Sequence, residues 1–210
     1  MTHSGSILAV SALIATSTGG AAAQRLTGPH PTGPIPVPVL LDTTGLFNVR
    51  FAKVGDDLFI AGQPTVRGMR DLKSRGVTTI VNLRTPVEMS KIGFDEAAVA
   101  AELGMDYVYL PVRGDTVYPY SPKALAGFTS AMKSANGKVL LHCTVAWRAS
   151  HLWAAYLINA RGVAPDTAIA NAHLINLMDD MATRGQRQPI EQFLGHDIPE
   201  LWKGKAPRGD

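Results

Sequence analysis

Lys138-Val139-Leu140-Leu141-His142-Cys143-Thr144-Val145-Ala146-Trp147-Arg148-Ala149-Ser150 is an apolar run that breaks into a short loop and continues into Leu152-Trp153-Ala154-Ala155-Tyr156-Leu157. The run has the continuity of a buried strand, and the segment after it reads as a helix packed on the sheet. A cysteine at the end of such a strand, with an arginine five positions later where the helix opens, forms a small anion-binding cup with a nucleophile at its base. The N–H groups of a helix's first turn lack intrahelical partners, and the aligned peptide dipoles favour negative charge in front of them. A thiolate in that field attacks while Arg148 holds two oxygens in its planar fork.

The flanking chain alternates between strands and helices. Before the cysteine strand, Asn136-Gly137 makes a turn, and Pro122 opens a helix to about Ser134, capped by Ser121, with Leu125, Phe128 and Met132 on one face. Further upstream, 107–112 reads as a strand, 94–103 as a helix stopped by Gly104, and 77–83 as a β-branched strand covered on both faces. A short helix through Met69 and Leu72, introduced by Gln63-Pro64-Thr65 and closed by Gly76, follows a hairpin of 49–52 and 58–61 about Gly55-Asp56-Asp57. Downstream, helices are predicted over 149–160, ended by Gly162, and from Pro165 to about Met181. The tail reads as irregular, with Ile190, Phe193, Leu194, Leu201 and Trp202 able to tack it down. The fold class is α/β: a central, mostly parallel sheet flanked by helices, with the anion-binding loop between a central strand and a helix. Such sheets bind ligands beyond the carboxyl ends of their strands, where Cys143, Arg84 and Arg113 fall.

A chain of 210 residues with 46% hydrophobic content supports one substantial core. The net charge of +3 is scattered rather than gathered in a stripe, so no nucleic acid is expected as a partner, whereas an anionic substrate suits it. One cysteine excludes an intramolecular disulfide and a Cys-rich metal site, and no cofactor or metal is implied. The apolar run 7–14 followed by Ala21-Ala22-Ala23-Gln24 outlines a secretory signal over 1–23, too short to span a bilayer. A periplasmic or secreted protein is expected, with no integral membrane segment after signal removal, or a cytoplasmic one if the N-terminus is not a functional signal. Residues 24–45 read as a Pro/Gly-rich arm, 46–183 as the folded domain and 184–210 as the tail. In an oxidising compartment a free thiol is a liability that a purely structural role does not justify.

Cys143 with Arg148, together with Leu58-Phe59-Ile60-Ala61-Gly62-Gln63-Pro64 and Ile80-Val81-Asn82-Leu83-Arg84, resembles the cysteine-dependent protein tyrosine and dual-specificity phosphatase superfamily. The likeness is greatest to the bacterial phosphatase-like domain of beta-lactamase-hydrolase-like proteins, and it runs over about 47–177. The resemblance implies that Cys143 forms a phosphocysteine, that Arg148 clamps the phosphoryl oxygens and that His142 helps keep the thiolate. It makes Asp115, twenty-eight positions before the nucleophile in the loop after a strand, the general acid. Asp115 as a simple turn residue is the competing reading. Thr144, Val145, Ala146 and Trp147 would line the phosphate cup, and Arg113 would attract the substrate anion or pair with a neighbour. Arg84 and Glu88, four apart, suggest a structural ion pair.

The chain departs from the superfamily at three places. Four residues separate Cys143 from Arg148 where ordinary members have five. The bacterial group shares the four-residue gap but usually carries Gly at the place of Ala146, whose Cβ restricts positive φ. Ala149 replaces the Ser or Thr that follows the arginine, leaving Ser150 or Thr144 to supply that hydroxyl. Trp147 either walls an aromatic substrate or is buried against the following helix. The substrate class implied is a phosphorylated small molecule, lipid or protein. The four-residue gap also matches many rhodanese-like sulfurtransferases, so transfer of sulfane sulfur through a Cys143 persulfide is an alternative, as is a non-enzymatic oxyanion or phosphoprotein-binding module.

Overall fold

The computed structural model describes residues 33–178 and 187–202. The predicted signal segment lies outside the described residues, as do residues 24–32 of the arm and the positions 179–181 given to the second downstream helix. Six strands form one sheet: β1 (Pro38–Leu40), β2 (Phe51–Val54), β3 (Leu58–Ala61), β4 (Val77–Asn82), β5 (Asp106–Tyr109) and β6 (Lys138–His142), in the order β1-β2-β3-β6-β4-β5. The β3, β6, β4 and β5 neighbours pair in parallel, while β1 and β2 continue the sheet antiparallel through the predicted hairpin. The sheet thus begins at Pro38, inside the Pro-rich arm. Pro38 occupies the edge strand, where a missing N–H costs least.

Helices cover both faces. α1 (Val66–Ser74) and α3 (Glu96–Glu102) lie on one face, where Phe59, Ala61, Ile80 and Leu140 point among Phe51, Met69 and Leu72. α4 (Pro122–Ser134), α5 (Trp147–Arg161), α6 (Pro165–His173) and α7 (Pro189–Leu194) take the other, around Ile60, Val81, Leu141 and Phe128. Leu140 and Leu141 therefore serve different cores, which explains the uninterrupted apolar run at β6. Caps set the helix starts where the sequence placed them: Thr65 accepts from Gly68 N–H and Ser121 from Ala124 N–H. Among the described residues, no helix is long and apolar enough to cross a membrane.

Three segments differ from their sequence reading. α6 stops at His173, well before 181, because the chain turns there to bury Ile175 and Leu177, whose N–H groups both donate to the Ala172 carbonyl. The tail is not wholly irregular: α7 buries Ile190 and Phe193 against α5 and α4. Its start is fixed by Glu191, whose carboxylate accepts from the Gln188 N–H. A four-residue helix, α2 (Pro86–Met89), follows β4 and opens on a Thr85/Glu88 capping box with Pro86 in its first turn.

Candidate active site

β6 is bordered by parallel strands on both sides, so Cys143 leaves it at the middle of the sheet's carboxyl edge, 1% exposed. The loop from Cys143 to Trp147 is held from the β3 side. Gln63 N–H donates to the Thr144 carbonyl, Asn48 Nδ2 donates to the same oxygen, and Gly62 bridges Val145. A Cβ on Gly62 would sit 1.8 Å from the Asn48 carbonyl oxygen and 2.9 Å from that of Thr144, so only glycine permits this approach. From the other side Asn176 Nδ2 donates to the Val145 carbonyl at 2.6 Å. Ala146 closes the loop in the left-handed region, φ 66, and is the residue from which α5 starts. The Cβ that the sequence reading set against positive φ is thus accommodated, fully buried, in that conformation.

Arg148 is 8% exposed, and both of its Nη groups are engaged by the protein. Its Nη1 donates to the carbonyls of Leu83 (3.2 Å) and Val112 (2.7 Å) and to Glu88 Oε2 (3.0 Å). Its Nη2 donates to Glu88 Oε1 (2.5 Å) and Thr144 Oγ1 (3.0 Å), and the Thr144 hydroxyl in turn donates to Glu88 Oε1 at 2.8 Å. Burial works against the charge of Arg148, but hydrogen bonding to Glu88 and the nearby Cys143 and Glu88 groups hold it protonated. Burial also works against the Glu88 carboxylate, yet Arg148 and the Thr85 N–H bring its carboxyl down to about 2. The suggested Arg84–Glu88 side-chain pair is not formed: Arg84 Nη2 donates to the Glu88 backbone carbonyl, because the Glu88 carboxylate is turned to Arg148, sixty positions away. Sequence reasoning missed Glu88 as a site residue. The signal was present in the capping box that fixes its rotamer, Thr85 N–H and Oγ1 both donating to Oε2.

Behind the nucleophile, His142 and Glu96 are both fully buried, with His142 Nε2 2.8 Å from Glu96 Oε1. A carboxylate only accepts, so Nε2 carries the proton. Gln63 Nε2 donates to the other Glu96 oxygen, and Gln63 Oε1 accepts from Arg84 Nη1. Tyr107 receives Asn82 Nδ2 at 2.6 Å, and its hydroxyl adds to the groups that favour the Glu96 charge. Burial disfavours the Glu96 charge, but His142, Gln63 and Tyr107 together keep its carboxyl below the ordinary value. Glu96 was likewise missed, since its partner His142 is forty-six positions away.

Asp115 lies exposed on the loop after β5, with Oδ1 accepting from the N–H groups of Val117 (3.0 Å) and Tyr118 (2.7 Å). Arg113 is exposed on the same loop, and its N–H donates to the Tyr118 carbonyl. Tyr120 joins this loop to the cysteine loop: its ring packs on the Cα of Gly114 and meets the Trp147 ring edge-on at 6.5 Å. Burial pushes the Tyr120 hydroxyl up to about 12; Arg148 works against that shift, while Cys143 and Glu88 add to it. Trp147 is half-buried, its ring 4.3 Å from that of His151 on the next turn of α5. Ser150 is fully buried and donates to the Ala146 carbonyl inside the helix, so the hydroxyl beside Arg148 is that of Thr144.

Two cavities bracket the molecule. The larger, about 990 Å³, lies at the amino ends of the strands under the Pro34–Pro36 segment, away from the chemistry. The smaller, about 540 Å³, opens beside the cysteine loop and includes Gln63, Arg84 and Thr144 in its wall.

A parallel sheet with a cysteine at its central carboxyl edge and an arginine in the following helix turn defines a phosphatase-like α/β domain. Residues 50–160 match the family described as beta-lactamase hydrolase-like protein, phosphatase-like domain, and the chain belongs to that family. It is 31% identical over 107 residues to a beta-lactamase hydrolase-like protein of Agrobacterium fabrum, a match covering 50% of this chain and 24% of that protein. A Xylella fastidiosa protein of the same description is 32% identical over 108 residues, again 50% of this chain and 24% of the relative. The chain therefore aligns with about a quarter of the length of these relatives. Among solved structures, P. aeruginosa TpbA, as a cysteine-to-serine variant in complex with pTyr, superposes with TM-score 0.56 at 18% identity, over 79% of this chain and 93% of that one. That likeness shows a shared fold.

Proposed function

We propose that the protein hydrolyses phosphomonoesters, in the manner of tyrosine or dual-specificity phosphatases, through a phosphocysteine on Cys143. The observation that carries this reading is the immobilised loop. Cys143 sits at the base of a helix opening, and Arg148 is locked in place by Glu88, Thr144 and two backbone carbonyls. Such preorganisation stabilises charge on a transferring phosphoryl group without reorganisation during the reaction. The family match supports phosphoryl transfer over sulfane-sulfur transfer.

In the first step the Cys143 thiolate forms a P–S bond as the P–O bond to the leaving group breaks, and the departing oxygen takes a proton from Asp115. Because Asp115 Oδ1 is occupied by two N–H donors, Oδ2 carries that proton. In the second step water attacks phosphorus, its proton passes to Asp115, and the P–S bond breaks to regenerate the thiolate. The first-turn N–H groups of α5 and Arg148 bind the equatorial oxygens. Thr144, held between Arg148 and Glu88, is the hydroxyl that stands in for the one Ala149 lacks. Phosphate release from an aryl phosphate and a phosphotyrosine peptide, under reducing conditions, tests this. The reading requires release that is abolished in Cys143→Ser and reduced at least tenfold in Asp115→Asn. Release unaffected by Cys143→Ser ends it.

A further inference from the structure

The cavity beside the loop has two kinds of lining. Phe47, Pro64, Ile92 and Phe94 make an apolar part, and Gln63, Arg84 and Thr144 a polar part, within about 540 Å³. That volume suits a small organic group rather than a bare phosphate. The cavity is continuous with the catalytic loop, since Thr144 belongs to both and Gln63 N–H donates to the Thr144 carbonyl.

Arg84 is the unexplained member. It is 6% exposed, and its bonded partners are neutral: the Gln63 side-chain oxygen and the Glu88 backbone carbonyl. Its Nε has no partner. Among the described residues no carboxylate contacts it. The Glu88 carboxylate is taken by Arg148 and that of Glu96 by His142 and Gln63, so both reach Arg84 only through the longer-range field, which Arg148 opposes. A guanidinium removed from water without a contacting anion is costly, and an anion arriving beside it offsets that cost.

We propose that Arg84 and this cavity form a second anion subsite, which takes a carboxylate or further phosphoryl group carried on an apolar, aromatic-sized body. Resting on the phosphatase reading, that body is the leaving group of a substrate whose phosphoester lies at Cys143. The preferred substrate is thus an apolar ester with two separated negative charges rather than a simple aryl phosphate. Phe47, Ile92 and Phe94 bind the body, and Arg84 selects its charge.

Calorimetric titration of the full chain with biphenylcarboxylate, biphenylphosphonate and neutral biphenylcarboxamide decides this, and since none of the three is an ester the result stands apart from whether hydrolysis is found. A charge-assisted bond contributes about 1.5–3 kcal/mol, so the better anionic probe binds about tenfold or more tightly than the carboxamide. Which anion wins identifies the group the subsite takes. The preference disappears in Arg84→Gln and persists in Arg148→Gln, whereas Phe94→Ala weakens all three probes alike. Equal binding of charged and neutral probes overturns the proposal. So does a preference that survives Arg84→Gln and is lost in Arg148→Gln, which puts the anion in the catalytic loop. Should Arg84→Gln not fold, arginine modification of the wild-type chain by phenylglyoxal gives the same decision by peptide mass. Protection of Arg84 by an anionic probe and not by the carboxamide supports the subsite, and equal modification in all cases rejects it.

Discussion

Ala146 and Glu88 show what single residues contribute to this site. An L-residue in the left-handed region costs about 1–2 kcal/mol, and Ala146 adopts it at φ 66 because the four-residue loop must reverse before α5 starts. Ala146→Gly removes that strain, offset by a lost buried methyl of about 0.8 kcal/mol and by a more flexible unfolded chain. A small net gain, up to about 1 kcal/mol, is expected in denaturant unfolding. A loss larger than about 1 kcal/mol would show that Cβ packing dominates. Glu88→Gln leaves Arg148 buried without the carboxylate that pairs with it. Removing one member of a fully buried pair costs about 3–5 kcal/mol, and the partial exposure of Glu88 reduces this to about 2 kcal/mol. Oxyanion binding by the folded variant, read by vanadate inhibition of phosphate release, should weaken at least tenfold as Arg148 loses its fixed orientation. Unchanged inhibition would mean that the carbonyls of Leu83 and Val112 suffice to position Arg148. At this scale the sequence placed Cys143 just past a strand end and Arg148 at the start of the following helix, as the structure has them, because that juncture is local. It did not disclose that Glu88 serves Arg148 and Glu96 serves His142, since those pairings depend on β4 and β6 being neighbours. The i,i+4 spacing pointed Glu88 at Arg84 instead, although its side chain was already committed by the capping box.

Elements were legible wherever a local signal ended them. Ser121-Pro122, Thr65 and Gly162 mark helix limits that the structure keeps. α7 and the early end of α6 were not legible, because burial of Phe193 and Ile175 in a distant core decides them. The Gly62-Gln63-Pro64 exit of β3 is a tertiary device with a sequence signature. Its glycine admits the loop backbone, and its glutamine spans Glu96 and Arg84. Gly62→Ala places a methyl against two carbonyls, so we expect destabilisation of about 3 kcal/mol or more, with loss of phosphate release in whatever folds. Thermal melting and activity at a temperature below the transition check this. A variant with unaltered melting would show that Asn48 and Thr144 retreat easily, and with them the rigid loop.

Across the whole molecule, a mostly parallel sheet with helices on both faces followed from the strand and helix alternation. Its antiparallel margin was legible in part: the hairpin that lays β2 against β3 was read, whereas β1 was not, because a proline-rich segment carries no strand pattern. The fold also sets a response to acid. His151, packed in α5 beneath Trp147, is held neutral chiefly by burial, with His173 adding to the shift and the Trp147 carbonyl opposing it; its pKa is lowered from 6.5 to about 4. The unfolded chain takes up that proton near pH 6.5 and the folded chain only near pH 4, so the contribution is complete above 6.5 and lost as pH falls through this window. Glu88 extends the loss below it, from 4.5 toward about 2. Melting temperature should fall steeply between pH 6.5 and 4 and be flatter in His151→Leu; identical slopes would assign the acid sensitivity to other groups.

The central placement of Cys143 has a consequence in redox terms. It is the chain's sole thiol, and with 1% exposure it lies below the reach of another protein's sulfur. Two copies cannot be covalently joined through it while the loop keeps its shape, and bulky disulfides have no line of approach. Peroxide and small alkylating agents are of a size to enter where a phosphoryl group would. Iodoacetamide should therefore label the folded protein far faster than a thiol reagent attached to a large polymer, with the two rates converging on unfolding. The sheet that sets this sulfur at the foot of the loop also keeps it from pairing with the cysteine of a second copy.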